Sequence, residues 1–249
     1  MGTNRDQPTI DPHFFSAGDT ALVVEYGEIV DPVINRRVRQ LAVAVDASRL
    51  AGIIDLVPTM RSLMIHYDPL VLSQAALIDA VTPLIAATPD LSGIVRRWRI
   101  PVCYEGDCAP DMTVVAEALS MTPQAVIDCH TAADLEVFMM GFLPGFPYLG
   151  LLPEIFDLPR RPEPRVKVPR RSISVAARQT TIYTIESPGG WHLIGRTPID
   201  FYDPDRAEPI LVAAGDSVRF EAVSITTYQA IRQAVEAGDH DLKCEIING

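Results

Sequence analysis

Four cysteines in 249 residues, Cys103, Cys108, Cys129 and Cys244, are too few and too scattered to build a disulfide framework. The five histidines, His13, His66, His130, His192 and His240, stand far apart, and no His or Cys pair has the spacing of a zinc site, so no metal site is expected. No apolar run is long enough to span a bilayer. The N-terminus, "MGTNRDQPTIDPHFF", lacks the charged start and apolar stretch of a signal peptide and reads as a short disordered lead. Positive charge is also short. A formal net charge of −11 argues against general nucleic-acid binding and against docking on anionic lipid. No nucleophile elbow, H-E-x-x-H or dinucleotide fingerprint is present. The compartment these absences fit is the cytoplasm.

The first hundred residues read as an alternating α/β pattern. "ALVVEY" (21–26) is a strand. Asp31 is placed to cap a helix with Pro32 in its first turn, and Ile34, Val38, Leu41 and Val45 fall on one face. "GIIDLVP" (52–58) and "SLMIHY" (62–67) are strands, the second alternating Leu63, Ile65 and Tyr67 inward. Ser73 caps a second helix, which Pro83 should kink or end near Thr82. "VRRWRIPV" (95–102) is a further strand. Strand, helix, strand, strand, helix, strand is the split βαβ, ferredoxin-like order.

The second half has two short helices, from Asp111 and from Thr122-Pro123. Short runs punctuated by Pro and Gly follow, among them "EVFMMG", "SISVA", "TIYTI", "HLIGR", "PILVA" and "DSVRFEAV". Many short strands between turns predict a barrel or a sandwich. "QAIRQAVEAG" predicts a late helix. The chain is therefore divided into a lead (1–12), a ferredoxin-like α/β domain (13–94) and a β-rich domain (95–249), an α+β architecture.

Three stretches of the second domain invite chemistry. "SPGGWHLIGRTP" (187–198) has the glycine spacing of a phosphate loop. Trp191, His192, Leu193 and Ile194 are strand-forming, however, and Pro198 biases Thr197 away from a helix start, so the nucleotide reading fails. What remains is a turn at Pro188-Gly189-Gly190 feeding a strand, either a plain hairpin or a place where backbone approaches a ligand closely. "GFLPGFPYLGLLP" (141–153) is too rich in Gly and Pro for a helix or a central strand. Its aromatics Phe142, Phe146 and Tyr148 belong either to a rigid packed loop or to a pocket wall. "PRRPEPRVKVPRR" (159–171) collects six cations on a proline-stiffened segment, suited to an anion or acidic partner, or else simply solvated. His130 is a candidate general base provided that it faces a pocket.

Together, "AGDTALVVEYG", "VPTMRSLMIHYDP", "IPVCYEGDCAPDM", "MGFLPGFPYLG", "ESPGGWHLIGRTP" and "GDSVRF" resemble, in order and over nearly the whole chain, the family of the 5-oxoprolinase B-type subunit. That family was long labelled allophanate hydrolase subunit 1 and includes the bacterial sporulation kinase inhibitor, so the alternative reading is a regulatory protein that binds and inhibits a histidine kinase through the barrel face. The resemblance implies that the second domain is a cyclophilin-like β-barrel. It implies a C-type, cyclophilin-fold partner in a heterotetramer, and a third subunit needed for activity. The implied reaction is ATP-dependent opening of 5-oxoproline to glutamate, a hydrolase activity in which ATP is bound with or by the partner subunits. Related domains form the carboxyltransferase part of biotin-dependent urea carboxylase. Under this reading His130 is the base, and Arg165, Gln179, Tyr183, Arg196 and Thr197 bind substrate. Gly145, Phe146, Tyr148, Pro188, Gly189, Gly190 and Trp191 wall the pocket. One segment departs from the family's glycine-rich pattern: Arg171, Ser174, Ala177, Arg178 and Thr181 stand where glycine is usual, and Thr184 where proline is. Side chains there should remove positive φ and make the pocket narrower or more basic, or suit it to a different substrate.

Overall fold

The structure is a computed structural model that describes residues 11–86, 91, 94–239 and 244–248. Of the expected lead only Asp11 and Pro12 are described, and His240 lies outside the described residues. The chain divides into two compact units, Met1–Leu91 and Ser92–Gly249.

In the first unit, strands β1 (His13–Ser16), β2 (Ala21–Glu25), β3 (Ile53–Pro58) and β4 (Ser62–Tyr67) form one antiparallel sheet in the order β1-β2-β4-β3. Helices α1 (Pro32–Ser48) and α2 (Gln74–Ala86) supply the apolar cover. Asp31 Oδ1 accepts from the backbone amides of Val33 and Ile34 at 2.7 and 3.2 Å, filling two donors that a helix start leaves open. Ile34, Val38, Leu41 and Val45 are buried against Leu63, Ile65 and Tyr67 of β4 and neighbouring apolar residues. Ser73 Oγ caps α2 through the Ala76 amide, 3.2 Å. α2 does not end near Thr82. It runs through Pro83 to Ala86, and the Thr82 hydroxyl donates to the Ile78 carbonyl, 2.7 Å. The expected closing strand of this sheet is also displaced. Residues 95–102 belong to β5 (Ile94–Cys103) of the second unit, and the edge beside β2 is held by β1, which the periodicity did not reveal.

The second unit is a mixed α/β body built on a closed seven-stranded barrel, consistent with the expected cyclophilin-like barrel. Its strands are β5, β6 (Leu135–Met140), β7 (Pro147–Gly150), β9 (Ser172–Ala176), β10 (Gln179–Ile182), β12 (His192–Arg196) and β13 (Ser217–Val223). The ring runs β12-β9-β10-β7-β6-β13-β5, and Arg196 pairs with Cys103 to return β5 to β12. β14 (Cys244–Asn248) adds to β5 outside the ring, and β5 runs parallel to β13. Asp216, just before β13, accepts from the Trp98 indole (2.9 Å) and the Ala213 amide (2.9 Å) and pairs with Arg96, tying that turn to β5. A separate ribbon pairs β8 (Arg165–Val168) with β11 (Ser187–Gly189). Helices α3 (Met112–Ala118) and α4 (Pro123–Ala132) bury Val115, Ala116 and Val126 in the apolar cluster they share with the barrel, and α5 (Ile225–Ala237) follows β13. Part of "GFLPGFPYLGLLP" is thus a barrel strand after all. Pro147 is tolerated because it stands first in β7. "PILVA" contributes only an isolated bridge, Tyr202 with Ile210.

Candidate functional site

A cavity of about 300 Å³ opens on the second unit. Phe146 and Tyr148 reach it from the end of the β6–β7 connection, and Tyr183 follows β10. Pro188, Gly189, Gly190 and Trp191 supply a further part of the wall. The two remote turns singled out in the sequence therefore meet, with the Tyr148 and Trp191 rings 6.0 Å apart, edge to face. Phe146 bridges them to Tyr183, its ring 5.2 Å from each tyrosine. Phe142, Arg160 and Pro164 also line the cavity. Of these, Arg160 was visible in sequence only as one of six cations.

Gly189 is required by close approach. A Cβ there would lie 2.1 Å from Tyr183 Oη. Burial pushes the Tyr183 phenol up to about 12, with Tyr148 adding to the shift and Arg160 and Arg165 opposing it. Tyr148 is raised by burial too, against the charge of Arg160. Both hydroxyls are protonated donors at neutral pH.

The wall carrying Arg160 and Pro164 is fastened by Asp111, just before α3. Its Oδ1 accepts from Arg161 Nη1 (3.1 Å) and Arg165 Nη2 (2.6 Å), and its Oδ2 from the Leu193 amide (2.7 Å). Burial pushes this carboxyl up, but the bonds from Arg165 and Leu193 and the two guanidinium charges outweigh it and hold it below the usual carboxylate range. The Arg161 amide donates to the Gly190 carbonyl, 2.7 Å, and His192 Nε2 contacts the Pro159 carbonyl, 3.1 Å, closing the clamp.

Several residues expected at the site stand elsewhere. His130 is fully buried: Nδ1 lies 2.8 Å from Tyr104 Oη, Nε2 3.1 Å from Thr180 Oγ1, and the ring stacks on Phe220 at 4.7 Å. Burial lowers its pKa to about 3. It is a neutral core histidine with no face on the cavity and does not fit the role of general base. Arg165 is engaged by Asp111. Arg196 donates from Nε to the Arg170 carbonyl (3.2 Å) at the seam of β12, away from the cavity lining. Thr197 is buried, with Oγ1 accepting from the Ile199 amide. Gln179 opens β10 opposite Ala176, and Gly145 packs on Tyr202. None of these is part of the cavity lining.

The glycine-poor segment behaves differently from expectation. Arg171, Ala177 and Arg178 keep left-handed backbone, with φ of 69°, 47° and 60°. Ala177 and Arg178 form the two-residue turn of the β9–β10 hairpin, whose right-handed strand twist favours positive φ at both positions. Nor do the new cations make the cavity basic. Arg171 bonds Asp200 (3.3 Å) and Arg178 bonds the Leu152 carbonyl (3.2 Å). Ser174 and Thr181 pair across the strands, in one row with Leu193 and Tyr148. Their side chains occupy the sheet face that Tyr148 shares.

Residues 192–196 are strand β12, so the glycine spacing of 190–197 does not form a phosphate loop. Among the described residues, no three His, Cys, Asp or Glu side chains gather to hold a metal ion, and no helix is long and apolar enough to cross a membrane.

Comparison with known proteins gives the chain its relatives. The family model for the carboxyltransferase domain, subdomain C and D, matches residues 12–212. The B-type subunit of 5-oxoprolinase from Bacillus subtilis (strain 168) is 34% identical over 227 residues, 87% of this chain and 95% of that protein. The crystal structure of TTHA0988 is 35% identical with a TM-score of 0.72, covering 82% of this chain, which spans only 40% of that one. The K. lactis urea amidolyase structure matches 98% of this chain with a TM-score of 0.82 at 21% identity, over 17% of its own length, and shows the fold.

Proposed function

The chain belongs to the carboxyltransferase-domain family of subdomains C and D that includes the B-type subunit of 5-oxoprolinase, and on that premise we propose that it fills that place in an ATP-dependent, cytoplasmic 5-oxoprolinase. The reaction is hydrolytic opening of the cyclic amide of 5-oxoproline to glutamate. The observation that carries this reading is the near full-length match to the B. subtilis protein, together with a cavity walled by the two segments on which the resemblance is most specific. The first unit is read as ferredoxin-like, with β1 in the edge position usually filled by a strand after the second helix.

The chain's own chemistry accounts for a shared reaction. The cavity lining holds no His, Cys, Asp, Glu or Lys, so it offers donors and a cation but no base and no nucleophile of low pKa. A C-type, cyclophilin-fold partner, in a heterotetramer, and a third subunit supply the remainder, and ATP binds with or by those chains. Of this chain's residues, Trp191, Tyr148 and Phe146 hold the ring of the substrate and exclude water around it. Tyr183 donates to an acceptor oxygen.

The test is reconstitution. This chain, its C-type partner and the third subunit are mixed with ATP and 5-oxoproline, and glutamate is measured. Release that needs this chain supports the reading; none from the complete set rejects it. Membership of a carboxyltransferase-domain family favours a second reading, a carboxyltransferase component of a biotin-dependent system. Transfer of a carboxyl group from carboxybiotin to urea by the same preparation, in place of glutamate release, selects it.

A further inference from the structure

Every polar side chain in the cavity lining is a donor at neutral pH: the Arg160 guanidinium, the Tyr148 and Tyr183 hydroxyls and the Trp191 indole. No carboxylate lines it. The guanidinium carbon of Arg160 lies 5.7 Å over the Trp191 ring. Among the described residues no carboxylate forms an ion pair with Arg160, whereas its neighbours Arg161 and Arg165 both close on Asp111. The clamp therefore fixes the backbone on either side of Arg160 and leaves its fork of donors free. The rest of the lining is ring faces, prolines and the two glycines, Gly189 and Gly190. The volume lies at the lower end of small-molecule sites, about ten times the share of one water in the liquid.

We infer that this cavity takes a small ring bearing a carboxylate, that Arg160 is the residue that reads the carboxylate, and that Arg165 and Arg196 do not. A flat apolar enclosure selects the ring, and the positive charge of Arg160, with no carboxylate in the lining, disfavours cations. A guanidinium held by stacking presents two parallel N–H groups to a carboxylate. The inference rests on the cavity being the substrate site of the reaction proposed above, but it assigns a ligand class independently of turnover.

Calorimetric titration of the isolated full chain tests it. The probes are 5-oxoproline, pyrrolidin-2-one (the same ring without the carboxylate) and cyclopentanecarboxylate (ring and carboxylate without the amide), and the Trp191 indole N–H signal reports the location. The two carboxylated rings are expected to bind at least tenfold more tightly than pyrrolidin-2-one and to shift the Trp191 signal. Arg160→Gln abolishes that preference, Arg160→Lys retains part of it, and Arg196→Gln leaves it unchanged. Equal affinity for charged and uncharged rings, failure of both carboxylates to bind, or a preference that survives Arg160→Gln overturns the inference. If cyclopentanecarboxylate binds through Arg160 while 5-oxoproline does not, the ligand class stands and the 5-oxoprolinase reading falls.

Discussion

Lowering the pH should destabilise the second unit through one buried imidazole. His130 is sealed between Tyr104, Thr180 and Phe220, and its pKa in the folded protein is depressed to about 3. In the unfolded chain a histidine titrates near pH 6.5. Below that pH the unfolded chain binds a proton that the folded protein refuses, so stability is complete above about 6.5 and declines as the pH falls. The loss is about 1.4 kcal/mol per pH unit and levels off near the folded-state value of about 3. Between pH 6.5 and 4.5 it reaches about 3 kcal/mol, a large part of the 5–15 kcal/mol typical of a domain. Carboxylates add their own acid sensitivity, so the informative quantity is a difference. Urea unfolding of the native chain and of His130→Gln is measured at pH 7.0, 5.5 and 4.5. Glutamine keeps a neutral hydrogen-bonding group but does not titrate. The stability advantage of the native protein should shrink by about 3 kcal/mol across that range. An advantage that stays constant with pH, or a His130 NMR titration centred near 6.5, refutes both the sealed environment and the dismissal of this residue as a base.

Two backbone predictions can be checked by calorimetry. Gly189→Ala places a methyl carbon 2.1 Å from Tyr183 Oη, so Tyr183 must leave its position. The expected cost is about 1–3 kcal/mol, seen as a lower Tm, together with weakened ring binding in the cavity. An unchanged Tm and unchanged binding would contradict the packing described. Ala177→Gly relieves the left-handed strain at the first hairpin position and should raise stability by roughly 1 kcal/mol in urea unfolding, because the native turn already has the geometry that glycine prefers. A loss of stability of that size would show that Ala177 is not in a left-handed turn.

What could be read in the sequence was what rests on local rules. The Asp31 and Ser73 caps and the helical stripe of Ile34, Val38, Leu41 and Val45 need only neighbouring residues and emerged as expected. So did the meeting of Tyr148 with Trp191, since loops so apolar and so rich in glycine and proline are stable only when packed on something. What escaped depends on pairing partners that the local pattern does not announce, most of them distant in sequence. β1 is four residues long with a weak pattern and is a strand because β2 offers it an edge. Which arginine of the 159–171 segment faces the cavity is decided by Asp111, some fifty residues upstream, which removes Arg161 and Arg165 from contention. His130 looked catalytic because a short helix carrying a histidine gives no sign of which way the ring points. The enclosing Phe220 comes from a strand ninety residues later.

The partners of β5 all lie far downstream: β12, β13 and β14 begin at His192, Ser217 and Cys244. A nascent chain therefore presents both rims of this strand, with Ile100 and Val102 upon it, unmatched until roughly ninety more residues have been made. At ordinary ribosomal speed that interval is on the order of five to twenty seconds. Through it the emerging strand is open to any other extended polypeptide that meets it, so yield of this protein in cells should depend on holdase chaperones more than its final stability would suggest.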